Sequence, residues 1–350
     1  MRYSLFAIFI STSMILVMGP SNWPVASGTS DQYLSMVNGV DGNRIMSTVT
    51  ELQDFGSRAF FLGSMWNAST YVHDRFADLG LWVRYQDFEA NGFPQRNVIA
   101  VMNGTDPAAP QYLFGAHYDS FTLALLDYEE GDPTSAPGAD DDASGVAATI
   151  ELATVLHDKK FNSTIKFVAF GAEESGLNGS VAFVQEELTN GVLYADTVIM
   201  DMIGYRTSEQ NRAFVFRDTN ANTMSLSLQR AVYAYGLNLS LTYVSGTSVG
   251  FSDHYPFWLA GYPSMLVIEE LVDGWPVNPY YHTENDTASR LSEEQMGVIT
   301  KALLGGFLEL QSPHEGRTSN AGVLIVSATT IVAIAIVILL YIIKKRKVIE

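Results

Sequence analysis

The sequence predicts an α/β protein: a mostly parallel, mixed central sheet with helices on both faces. Two observations carry that expectation. Apolar runs of strand length alternate with helix-length segments through most of the chain. Several of those runs end in a histidine or a carboxylate, which is where an open α/β sheet builds its site.

The elements follow in order. Residues 41–55 put Ile45, Val49 and Leu52 at helical spacing and stop at Gly56, and residues 64–79 form a second helix ending at Gly80. Strands are expected at 82–88, 97–102 and 112–116, with Asn103-Gly104 and Pro107 marking the turn between the last two. Residues 121–137 form a loop whose length points to function or mobility. Then come a helix at 143–156, a strand at 165–170, a helix at 179–188 and a strand at 197–200. A short strand at 214–216, a helix at 221–235, a strand at 239–243 and a Ser/Gly-rich loop at 245–250 continue the pattern. A short helix at 254–259, a strand at 264–268 and an amphipathic closing helix at 291–310 complete it. No internal repeat is visible.

The ends speak to compartment. Residues 4–18 are an apolar run behind Arg2, and Val25-Ala26-Ser27-Gly28 supplies small residues after it. Residues 1–28 therefore read as a secretory signal peptide, with an uncleaved N-terminal anchor as the other reading. Residues 29–311 form the main domain and 312–320 a polar linker. Residues 321–343 are an uncharged apolar stretch long enough to cross a bilayer as one C-terminal transmembrane helix. Lys344-Lys345-Arg346-Lys347 follows, so residues 344–350 are expected as a cytoplasmic tail. The expected topology is single-pass type I, with the body extracellular or lumenal. Asn67, Asn103, Asn162, Asn178, Asn238 and Asn285 each begin an Asn-x-Ser/Thr triplet, consistent with a glycoprotein.

The net charge is −18, which argues against nucleic acid as a partner. There is no cysteine, so a metal site must use histidine and carboxylate. The stretch Pro137-Gly138-Ala139-Asp140-Asp141-Asp142-Ala143-Ser144-Gly145 leads directly into an apolar helix. One Asp would suffice to cap that helix, so three consecutive carboxylates call for a counter-cation. Candidate co-ligands stand in strand-end or loop positions. They are His117-Tyr118-Asp119, Glu173-Glu174, Asp201-Met202 and Tyr281-His282-Thr283.

That ordered set resembles the co-catalytic di-zinc aminopeptidases, whose clan includes glutamate carboxypeptidase, glutaminyl cyclase and the transferrin receptor. The resemblance runs from about residue 36 to residue 310. Ser252-Asp253-His254 followed by Ala260-Gly261-Tyr262-Pro263 is similar to the bacterial secreted leucyl aminopeptidases. The resemblance implies a zinc-peptidase fold, two zinc ions per chain and peptide substrates. It makes Asp140 the shared metal ligand, joined by His117 and Asp201 at one zinc and by Glu174 and His282 at the other. It makes Glu173 the general base and puts a cis peptide at Asp140–Asp141. Asp119 is expected to orient the His117 imidazole. Asp141 and Asp142 are expected to cap the helix or hold the loop. His254 is expected either to touch substrate or to pack the helix start; Trp258, Trp275 and Tyr281 either line a pocket or pack the sheet edge. The competing activities are a carboxypeptidase, a cyclase or another amide hydrolase of the clan, and a non-catalytic receptor-like ectodomain.

Overall fold

A computed structural model of the chain describes residues 31–123, 125, 135–218, 223–245, 251–272 and 275–311. The expected signal peptide, linker, membrane-crossing helix and basic tail lie outside the described residues, as does much of the expected loop 121–137. Among the described residues no helix is long and apolar enough to cross a membrane.

An eight-stranded mixed sheet forms the centre. Its strands are β1 (Trp82–Ala90), β2 (Phe93–Met102), β3 (Gln111–His117), β4 (Ile165–Phe170), β5 (Tyr194–Met200), β6 (Asn211–Arg217), β7 (Leu239–Ser245) and β8 (Ser264–Ile268). The order across the sheet is β1-β2-β4-β3-β5-β8-β6-β7. The middle four, β4, β3, β5 and β8, are parallel, whereas β2 runs antiparallel to β4 and β6 antiparallel to β8. From β3 the chain steps to β4 on one side and then crosses back to β5 on the other. The carboxyl ends of β3, β4 and β5 therefore flank a topological switch point, where such sheets leave a crevice.

Both faces of the parallel strands are apolar and both are covered. Along β3, Tyr112, Phe114 and Ala116 point into the larger core, and Leu113 into the smaller one. The period-two split repeats on β4, with Phe167 and Ala169 against Val168 and Phe170. Helices α2 (Gly42–Gln53), α3 (Ser64–Asp78), α4 (Gly145–Leu156), α6 (Thr223–Ala234) and α8 (Glu293–Gln311) bury their apolar residues in the larger core. Helices α5 (Asn178–Thr189) and α7 (His254–Leu259) send Phe183 and Phe257 into the smaller one.

Three departures from the sequence reading have local causes. A helix α1 (Asp31–Asn38), not expected, buries Met36 and Val37 in the larger core with α8. Strands β1 and β2 extend further and meet at a two-residue Asn91-Gly92 turn, both residues with positive φ (53° and 83°), the conformation this dipeptide adopts in tight hairpins. The expected helix start at 143 falls at Gly145, because residues 139–144 make an irregular turn around the Asp142 carboxylate. A small hairpin of β9 (Leu271–Val272) and β10 (Trp275–Pro276) follows β8.

Arg58 ties the loop after α2 to the loop before α4. It is fully buried. Its guanidinium donates to the carbonyls of Tyr118 (2.7 Å), Pro137 (2.6 Å), Gly138 (2.8 Å) and Leu52 (3.2 Å). Burial lowers its pKa to about 10, which still leaves it protonated at neutral pH. Replacing it with Met keeps the aliphatic stem but strands four buried carbonyls. Arg58→Met is expected to destabilise the domain by roughly 3 kcal/mol or more, read as a lower urea midpoint. An unchanged midpoint would show that water takes over those acceptors.

Candidate metal centre

The switch point gathers residues from five separate segments. His117 ends β3, Asp201 directly follows β5, and Glu173-Glu174 lies three residues past β4. Asp141 comes from the turn before α4, and His282 from the loop after β10. His117 Nε2 is 3.1 Å from one Asp141 oxygen, and His282 Nε2 is 3.2 Å from the other. Asp201 is 3.8 Å from His117 Nε2, and Glu174 is 3.1 Å from His282 Nε2. Two triads result, His117–Asp141–Asp201 and Asp141–Glu174–His282, with the ligand atoms of each within 4.8 Å of one another. They share Asp141.

This corrects the expectation for Asp140. Asp140 is buried but turned away from both histidines. Its carboxylate accepts from the Gly204 amide (2.8 Å), the Tyr205 amide (3.3 Å) and Asn278 Nδ2 (2.8 Å). Those three donors fix it as an anchor for the loop after β5. Asp142 also faces away, accepting from the amides of His117 (3.2 Å), Gly145 (2.9 Å) and Met202 (3.2 Å). Asp141, expected to cap or hold the loop, is instead the member of the run whose two oxygens face the imidazoles. The cis peptide shifts by one with it, lying between Asp141 and Asp142.

The other expected residues fall in or beside the cluster. Glu173 is buried, in the field of His117, Glu174, Asp253 and Asp201. His117 Nδ1 meets the main-chain carbonyl of Asp119 at 3.2 Å and its carboxylate at 3.5 Å, so the backbone of Asp119 is the nearer partner of the imidazole. Asp119 also accepts from the Glu173 and Glu174 amides at 3.0 and 3.2 Å, so it holds the glutamate loop as well. Three residues have left-handed backbone at φ 54–57°: Ala172 before Glu173, Met202 after Asp201, and His282 itself. Strain of this kind gathers where a fold aims side chains into a site. His254 is fully buried, its ring edge-on to Trp258 at 4.4 Å, which is the packing role. Trp258 gives its indole N–H to the Ser264 carbonyl, while Trp275 is 68% exposed. Tyr281 stacks on His282 at 3.8 Å.

The charge balance asks for a cation. Burial pushes Glu173 well above the ordinary carboxylate range and Glu174 to about 7, and neighbouring acids add to both. Burial likewise raises Asp253 to about 7 and Asp286 to about 8. Burial opposes the charged forms of Asp141 and His282 too. There the paired hydrogen bonds win, holding Asp141 below its usual range and raising His282 to about 10. Burial therefore works against the charged forms of these carboxylates, and a cation between them would offset that cost. Two imidazole nitrogens and carboxylate oxygens, with no thiolate, form a donor set that fits zinc.

The sequence reading missed Asp286, Asn278, Glu269 and Arg58. Asp286 accepts from the amides of Asp140 (2.9 Å) and Asp141 (3.1 Å), and so steers the acidic turn. Glu269 accepts from the Tyr205 amide at 2.9 Å. It ends an apolar strand, the same signal that marked Asp201.

Known proteins bear on this arrangement. A model of peptidase family M28 matches residues 97–305. The uncharacterized protein YfbL of Escherichia coli is 27% identical over 268 residues, covering 68% of this chain and 78% of that protein. Aminopeptidase YwaD of Bacillus subtilis is 31% identical over 205 residues, covering 57% of this chain and 41% of YwaD. The crystal structure of the LapA aminopeptidase of Legionella pneumophila superposes with a TM-score of 0.70 at 23% identity, over 85% of this chain and 79% of LapA, a likeness of fold.

The geometry separates the adjacent aspartates experimentally. Asp141→Asn is expected to abolish stoichiometric zinc uptake, whereas Asp140→Asn should still bind zinc and lose stability instead. Metal content by mass spectrometry and a thermal melt read the two effects; zinc loss confined to Asp140→Asn would restore the first assignment.

Proposed function

Because this chain belongs to peptidase family M28, we propose that it is a zinc-dependent aminopeptidase that uses two metal ions and releases apolar N-terminal residues from peptides. The observation that carries the two-metal reading is the Asp141 carboxylate, with one oxygen toward His117 and the other toward His282. His117, Asp141 and Asp201 would hold one zinc, and Asp141, Glu174 and His282 the second. Bound zinc polarises a scissile carbonyl and acidifies a water at neutral pH. Glu173 acts as general base: its buried carboxylate takes a proton from the attacking water and delivers it to the departing amine. Asp119 fixes the loop that aims Glu173, through both glutamate amides.

The choice of the amino end rests on charge. Residues 115–145 and 171–205 contain no lysine or arginine. Arg206 pairs with Glu294 at 3.0 Å and Arg212 with Glu270 at 2.9 Å, while Arg217 donates to Ser225 at 2.9 Å. Arg58 is committed to carbonyls. A cleft of this balance attracts an ammonium group and repels a terminal carboxylate. Tyr281, stacked on His282, supplies apolar surface for the first side chain.

The test uses leucyl peptides and the zinc-loaded chain. Hydrolysis is expected from the free amino end, abolished by N-acetylation and hardly altered by C-terminal amidation; the reverse pattern identifies a carboxypeptidase. In the same assay Glu173→Gln is expected to keep its zinc and lower kcat by roughly two to four orders of magnitude. A near-normal rate would place the base elsewhere.

The enzyme is held at a membrane by residues 321–343, with the peptidase body outside the cytoplasm. The uncharged apolar stretch and the Lys344–Lys347 cluster behind it support this orientation. Protease added to intact cells is expected to digest the body and spare a C-terminal tag. Loss of the tag alone would reverse the topology.

A further inference from the structure

The hairpin β1–β2 reaches over the candidate site. Val98 on β2 lies opposite Ala169 on β4, so residues 93–96 run past the carboxyl end of β4. At the tip, Asn91 Nδ2 donates to the carbonyl of Ser175, next to Glu174, at 3.4 Å. Gln95 Nε2 donates to the Phe60 carbonyl at 2.6 Å and so fastens the loop after α2 to the hairpin. This brings three rings together: Phe93 lies 5.7 Å from Phe60 and 6.4 Å from Phe61. Phe61 packs on a small cluster of Ala59, Leu125 and Ala136. Phe121 packs on the same cluster and sets its edge against the His282 ring at 5.1 Å. Aromatic surface therefore continues from a candidate zinc ligand to the hairpin tip.

Phe60, Phe61 and Phe121 are half-buried, and Phe93 at the outer end is the exposed member. Phe93 is 43% exposed beside a tight turn, a position that folding would fill with a polar residue. Apolar surface grouped in this way marks a binding face. The direction of the bound peptide follows from charge. Asp201 stands 3.8 Å from His117 Nε2, and His117 and His282 lie against opposite oxygens of Asp141, so Asp201 marks the side away from His282. This acidic side draws the α-ammonium group. A peptide with its amine there and its first carbonyl at Asp141 leaves past Glu174 and His282, where Phe121 begins.

We propose that the strip Phe121–Phe61–Phe60–Phe93 is the subsite for the second residue of the substrate, and that it selects a large apolar or aromatic side chain directly after the bond cut. The proposal rests on the aminopeptidase reading above and adds a preference on the leaving side of that bond.

The test compares leucyl-phenylalanine amide with leucyl-glycine amide. The zinc-loaded Glu173→Gln chain should hold both with turnover slowed by roughly two to four orders of magnitude, so calorimetry corrected for that residual rate reads binding. Leucyl-phenylalanine amide is expected to bind roughly tenfold tighter, and Phe93→Ala or Phe60→Ala in that background to remove most of the difference. With Glu173 intact, the ratio of kcat/KM for the two amides should fall in the same variants, mainly through KM. Equal binding of the two amides overturns the subsite, as does a ratio unmoved by both variants. So does a change confined to leucyl against alanyl first residues. If the parent chain cuts neither amide, the aminopeptidase reading fails and takes the subsite with it. If it cuts both equally well, only the subsite fails.

Discussion

Backbone amides converging on buried carboxylates hold this site in shape. Asp142 receives amides from the end of β3, the start of α4 and the loop after β5. Asp140 receives two from that same loop, Asp286 two from the acidic turn, and Asp119 two from the glutamate loop. Each is a carboxylate acceptor in a dry environment, where a hydrogen bond is strong and an unmet one costly. Asp141 alone in its run keeps its oxygens for the imidazoles. Neighbouring aspartates thus divide the work, most of them positioning the chain so that one is free to bind.

That division charges the crevice. Arg58, surrounded by carbonyls, lies in the field of Asp286, Asp119, Asp141 and Asp142 and offsets part of the negative potential from behind. The remainder faces the open side. A cation there completes the arrangement, which accounts for a fold that tolerates so many buried acids with so few bases. The two flanks then differ in kind: one is acidic around Asp201, Glu173 and Asp253, and the other is aromatic, from Phe121 outward.

Much of this was legible in the sequence, and the gaps have physical reasons. The parallel core strands were visible because strands buried on both faces are continuously apolar, as β4 and β8 are. His117, Glu173, Glu174, Asp201 and His282 were visible because each stands at a strand end or in a loop beyond one. Asp140 and Asp141 were not separable. A run of identical residues has no periodicity, and the choice depends on which carboxylate the loop amides of Gly204 and Tyr205 capture, a contact made 64 and 65 residues away. Arg58 left no mark for a related reason, since its partners are main-chain carbonyls, which every residue has. Helix α1 was hidden by its brevity, and only its seat beside α8 stabilises it. The Asn91-Gly92 turn could have been read directly; the polar residues on the outer ends of β1 and β2 obscured the strands that it joins.

The hydrogen bond between the Asp140 amide and Asp286 spans 146 residues of chain. A ribosome delivers the acidic turn early and must then synthesise most of the remaining domain before the residue that steers it arrives. His282 comes in the same late segment. All eight strands of the sheet are therefore synthesised before the centre can be completed. A fragment released by premature termination anywhere before that segment lacks both the steering carboxylate and His282, so it cannot assemble the paired triads.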